Sequence, residues 1–127
     1  MIMIIEDNLL FAECIARACG NREVEIYPDG VSAMVRMSEA TPEMIFLDML
    51  LTGPNGVAVL NELASYSEMV PVVIVSSLSL SREDFSEYNV VEVLNKENFR
   101  PEQIKNIVEQ LILEPKITEV EENEHFS

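Results

Sequence analysis

Short apolar runs alternate along this chain with segments whose apolar positions recur every three or four residues. "MIMII" at the start reads as a buried strand, because unbroken apolar runs of this length belong to strands covered on both faces. The stripe Phe11, Cys14, Ile15, Ala18, Cys19 predicts a first helix from about Asn8 to Cys19, stopped by Gly20. "VEIY" is a second strand, "PDG" a turn and "VSAMVRMSEA" a second helix. "MIFL" is a third strand and "NGVAVLNELASY" a third helix. Pro71 opens a fourth strand, "VVIVS", and a short polar helix is predicted within Ser81 to Tyr88. Asn89 suits a turn, since Asn tolerates positive φ. "VEVL" is a fifth strand. The last helix starts at Pro101, a residue favoured at the first helical position, and presents Ile104, Ile107, Val108, Leu111 and Ile112 on one face. Beyond Leu113 the period is lost. Residues 114–127 carry five Glu and one Lys and read as an acidic tail or linker, with an output domain beyond it left open.

Five apolar strands alternating with five helices imply an α/β fold, a doubly wound parallel sheet covered on both faces. At 127 residues the chain is one domain, residues 1–113, with length enough for a core. This frame gives meaning to the polar residues that follow the strands. Glu6 and Asp7 follow the first, Asp48 ends the third, Ser76 ends the fourth and Lys96 follows the fifth. Carboxyl ends of strands in open α/β sheets meet in one crevice at the switch point. Asp48, delivered by the apolar run "MIFLD", is therefore expected in a shared site and not in bulk solvent.

Charge narrows the function. A net charge of -15 argues against direct nucleic-acid binding, which needs clustered Lys and Arg, and against membrane-surface binding. The start has no signal-peptide pattern, so a cytoplasmic protein is expected. The two cysteines lie on a helix stripe and read as packed thiols. Three neighbouring carboxylates repel one another and call for a cation, and hard oxygen ligands suit Mg²⁺. A carboxylate can also attack phosphorus to form an aspartyl phosphate. Metal, ammonium and hydroxyl would then hold the phosphoryl oxygens.

The motifs "IIEDN", "IFLDMLLTGPNG", "PVVIVSS" and "VLNKENF", with "DGVSAM" at the second helix, resemble the receiver domain of two-component response regulators from Met1 to about Leu113. The resemblance implies a flavodoxin-like (βα)5 fold with strand order 2-1-3-4-5. It implies that Asp48 accepts a phosphoryl group from a sensor histidine kinase or histidine phosphotransfer protein. Asp7 and Asp48, with the backbone carbonyl of Leu50, would bind Mg²⁺, and Glu6 would act through water. Ser76 would bond a phosphoryl oxygen and Lys96 would pair with the phosphate. Gly56 would close the turn after Asn55. Leu9, Leu10 and Phe11 are consecutive, so one helix stripe cannot bury all three; Leu10 and Phe11 are the expected kinase contact. Such a chain is a phosphoacceptor with slow autodephosphorylation and not an enzyme acting on a separate substrate. Homodimerisation on phosphorylation stays open.

Four positions depart from the family pattern. Glu97 follows Lys96 where proline with a cis peptide is common, so a trans bond is expected. Thr52 replaces a loop proline. Val93 occupies the position of an aromatic switch residue. The segment after Ser76 is short, which reduces the family's fourth helix to a turn or two. A non-proline residue after the lysine resembles regulators of the LuxR/NarL class, whose output is transcription. The alternative reading is a receiver-like interaction module that works without phosphorylation.

Overall fold

A computed structural model describes residues 1–51, 55–65 and 70–113. Thr52, most of the Gly-Pro turn, the end of the third predicted helix and the acidic tail lie outside the described residues. The strands are β1 (Ile2–Ile5), β2 (Val24–Tyr27), β3 (Met44–Asp48), β4 (Val72–Ser76) and β5 (Val90–Asn95). The helices are α1 (Leu9–Ala18), α2 (Gly30–Met37), α3 (Gly56–Ala64) and α4 (Pro101–Val108). All neighbouring strands pair in parallel, in the order β2-β1-β3-β4-β5. The predicted doubly wound sheet is thus observed, with four α-helices among the described residues instead of five.

The sheet divides the core in two. Met3, Ile5, Ile45, Leu47, Val72 and Ile74 face α2 and α3, while Ile2, Ile4, Met44, Phe46, Val73 and Val75 face α1 and α4. Every residue of the inner strands β1, β3 and β4 is buried, whereas the edge strands β2 and β5 are mostly half-buried. This is why the inner strands read as unbroken apolar runs and the edges admit Glu25 and Glu92. Burying each large aliphatic side chain contributes about 1.5–3 kcal/mol.

Helix starts are fixed by side-chain caps. Asn8, Asp29 and Asn55 each accept a backbone N–H three residues on, from Phe11, Ser32 and Ala58. At the other end of α1, Gly20 adopts φ 76°, the left-handed conformation that lets the chain leave the helix.

The shortening expected after β4 is observed, and two further details differ from the sequence expectation. The segment after β4 forms a single 3-10 turn, Arg82–Phe85, with Phe85 its only buried residue. One apolar anchor in a polar segment cannot support a longer amphipathic helix. The last helix widens into a π-turn at Glu109–Leu113. The wider turn rotates the stripe, so Ile112 stays buried while Leu111 is exposed. On α1 the buried line is Ala12, Ile15 and Cys19, which leaves Phe11 and Cys14 half-buried at its flank. The Cys14 and Cys19 thiols are both free, and burial pushes Cys19 up to about 11. No cis peptide occurs among the described residues, so Lys96–Glu97 is trans as expected.

Gly56 holds α3 against the end of β3. Its N–H donates to the Met49 carbonyl at 3.2 Å. A Cβ there would lie 2.7 Å from the Met49 Cα. Gly56→Ala must push α3 away from the loop that follows Asp48. We expect a loss of about 1–3 kcal/mol, as for overpacking elsewhere. Urea unfolding measures it, and an unchanged midpoint would contradict this account of the close approach.

Candidate functional site

Sheet register brings the polar residues to one edge. Ile5 pairs with Leu47, so Glu6 stands level with Asp48. Asp48 pairs with Val75 and Ser76 with Asn95. The Lys96 N–H donates to the Ser76 carbonyl at 2.9 Å, which ties the start of the last loop to the end of β4. Parallel pairing of β1, β3, β4 and β5 therefore gathers Glu6, Asp7, Asp48, Ser76 and Lys96 around one crevice, as the strand pattern predicts.

Lys96 is the centre of this group. Its ammonium donates to Glu6 Oε2 at 3.0 Å and to Asp48 Oδ2 at 3.2 Å. Glu6, Asp48 and Ser76 are all buried, at 2%, 4% and 0% exposure, so these charges sit largely out of water. Asp7 is exposed at the mouth. Backbone donors complete the acids: the Asn8 N–H reaches Glu6 Oε2 at 3.1 Å and the Leu50 N–H reaches Asp48 Oδ1 at 3.0 Å. The Leu78 N–H donates to Ser76 Oγ at 3.0 Å. The acid pair also immediately precedes α1, where the helix dipole favours negative charge.

Burial pushes Glu6 above the ordinary carboxylate range. The Lys96 hydrogen bond and the Asn8 N–H oppose this, and the Asp48 charge adds to it. Desolvation pulls Lys96 down. The hydrogen bond to Glu6 and the charges of Glu6 and Asp48 outweigh it and hold Lys96 above its usual value.

The donor set fits a hard divalent cation. Glu6, Asp7 and Asp48 each offer one carboxylate oxygen, and these oxygens lie within 4.8 Å of one another. The Lys96 nitrogen lies 3.0 Å from both Glu6 oxygens and its hydrogen bond goes to Oε2, so Oε1 keeps acceptor capacity for a further donor or cation. Oxygen-only ligands at this spacing suit Mg²⁺ better than a softer metal. Leu50, whose carbonyl the resemblance assigns to the metal, is anchored beside the cluster by its own N–H.

The model of the response regulator receiver domain matches residues 2–109. The chain belongs to this family. The receiver domain of NtrX from Brucella abortus superposes with a TM-score of 0.77 at 20% identity, over 88% of this chain and 98% of that one. The phosphorylated cyanobacterial phytochrome response regulator RcpA gives 0.71 at 28% identity, over 88% and 93%. The receiver is also 28% identical over 102 residues to protein-glutamate methylesterase/protein-glutamine glutaminase 5 of Myxococcus xanthus (strain DK1622). That match spans 75% of this chain but 29% of the longer relative. Among the described residues, no helix of the receiver is long and apolar enough to cross a membrane.

The two expected partner-contact residues differ in setting. Leu10 is 79% exposed on the first turn of α1. Phe11 is half-buried, packed edge-on against Phe99 with ring centroids 5.2 Å apart and with Lys96 over its face. The sequence reading missed Phe99, whose only signal is an aromatic residue three positions beyond Lys96. Val93 is half-buried beside the core that holds Leu80 and Tyr88.

Proposed function

We propose that this chain is a phosphorylation-controlled receiver in which Asp48 accepts a phosphoryl group and the resulting change of conformation controls an output, transcription among the candidates. The observation that carries this reading is the gathering of Glu6, Asp7, Asp48, Ser76 and Lys96 at one sheet edge, with Lys96 bridging Glu6 and Asp48. A relative at 28% identity is described in its phosphorylated form, which supports the same chemistry here.

In the transfer, an Asp48 carboxylate oxygen attacks phosphorus in line. An O–P bond forms as the N–P bond of a phosphohistidine breaks, and the electron pair leaves with the imidazole. Mg²⁺, held by Asp7, Asp48 and the Leu50 carbonyl with Glu6 acting through water, would neutralise phosphoryl charge. Lys96 exchanges its pairing with Asp48 for one with a phosphoryl oxygen. Ser76, whose Oγ accepts the Leu78 N–H, donates its hydroxyl to another oxygen. These donors stabilise charge where it develops. The donor is a sensor histidine kinase or histidine phosphotransfer protein, which places the reaction in the cytoplasm. The chain acts as its own substrate, not as an enzyme for another.

Asp48→Asn tests the assignment, because an amide is a poor nucleophile toward phosphorus. The variant should take no label from acetyl phosphate or from the cognate kinase in Mg²⁺. Labelling equal to wild type would sink the reading. Wild type that takes none where a control receiver does would favour an interaction module independent of phosphorylation.

Leu10 projects beside the crevice and fits a docking contact for the donor's helices. Leu10→Glu should slow transfer from the kinase by about tenfold, the effect of about 1.4 kcal/mol at an apolar contact, and spare acetyl phosphate labelling. Equal slowing with both donors would contradict docking.

Lifetime follows from Leu50 and Leu78, which stand two residues after Asp48 and Ser76 and are 56% and 47% exposed. Neither side chain can orient water toward phosphorus, so hydrolysis should be slow. Phosphoryl decay should quicken when Leu50→Asn is combined with Leu78→Glu. Decay no faster than wild type would show that these leucines do not limit water access.

A further inference from the structure

A lysine ammonium has three N–H donors on a flexible four-carbon stem. Two of its directions are taken by Glu6 and Asp48. On another side lies the face of Phe11, its centroid 4.9 Å from Nζ, within the range in which a ring quadrupole attracts a cation. That ring is itself held. Phe99 meets it at an interplanar angle of 68°. The Phe11 N–H is bound to the Asn8 side chain at 3.1 Å, and the Phe99 N–H to the Asn95 carbonyl at 3.0 Å. One ring is thus fixed to the start of α1 and the other to the end of β5, the two segments that flank the lysine.

We propose that Phe11 is a positioning residue for Lys96, holding the ammonium over the Asp48 crevice so that it meets the incoming phosphoryl group. This rests on the reading of Asp48 as phosphoacceptor. The Glu6 and Asp48 carboxylates alone do not fix the lysine. Asp48 must be released when its oxygen attacks phosphorus, and a metal held at the acids would draw on Glu6 as well. The ring face is the one partner of the ammonium that the reaction leaves in place. It favours a cation at the mouth of the crevice over a lysine turned to solvent, and so reduces the search the side chain must make. A purely structural Phe11 would only complete the apolar pair with Phe99.

The test is a double-mutant cycle on labelling by acetyl phosphate in Mg²⁺, a donor that uses no protein docking surface. Phe11→Leu should slow labelling by about fivefold, the scale of one cation–π contact. Phe11→Tyr, which keeps the ring, should restore most of the rate. In a Lys96→Met background, Phe11→Leu should slow labelling no further. A second readout needs no phosphate: the Lys96 ζ-proton resonance, shielded by the ring, should move downfield in Phe11→Leu and stay near its wild-type position in Phe11→Tyr. Equal slowing in both backgrounds, or an unmoved Lys96 resonance, overturns the positioning role and leaves the phosphoacceptor reading intact. Wild type that takes no label where a control receiver does overturns that reading, and the proposal with it.

Discussion

The site depends on keeping negative charge out of water without letting it fly apart. Glu6 and Asp48 are both buried, and the cluster they form with Asp7 brings three carboxylate oxygens within 4.8 Å of one another. At an effective dielectric of about 20, each like-charge pair at that distance costs on the order of 3 kcal/mol. One ammonium in contact with two of the acids offsets much of this, and backbone N–H groups offset more. Burial still holds Glu6 above its usual range, and its Oε1 is met by the Lys96 charge without a hydrogen bond. A divalent cation held by the Glu6, Asp7 and Asp48 oxygens would offset that imbalance.

Such a cluster needs a rigid frame, and the sheet provides one. The acids and the lysine come from loops separated by tens of residues, so only the parallel register holds them together. Inner strands buried on both faces cannot slip by a residue without moving their side chains to the wrong layer. Asn8 and Asn55 fix the starts of α1 and α3 directly after the loops that carry the acids. Gly56 lets α3 approach the Met49 backbone more closely than a Cβ would permit. Fold stability and site geometry therefore rest on the same few contacts.

How legible these features were depends on whether the physics is local. Strands with both faces covered leave an unbroken apolar run, and "MIMII", "MIFL" and "VVIVS" were readable for that reason. The order of polar residues after successive strands placed the site. The strand order itself is set by crossovers that no periodicity records, and it came from resemblance. The 3-10 turn at Arg82–Phe85 was only half visible, because a polar segment with one buried phenylalanine shows no stripe of either period. The π-turn at Glu109–Leu113 was invisible, since a change in hydrogen-bond offset uses the same residues as an α-helix. The contact between Phe11 and Lys96 joins positions 85 residues apart, and nothing in either neighbourhood marks it.

The two sides of the crevice are tied to it by different kinds of force. On one side Ser76 Oγ accepts the Leu78 N–H, a directional bond that breaks only if the side chain changes rotamer. The chain then makes a single 3-10 turn, and β5 carries Val93, a small side chain and not an aromatic one, level with Ile74. On the other side Lys96 rests on Phe11, and Phe11 on Phe99, through contacts that weaken gradually with distance. A side chain that left the Leu78 N–H for another partner would give a two-state signal to the loop after β4. In the proposed switch a change of contact would be available at Ser76 and Leu78, while Lys96 would stay over the Phe11 ring.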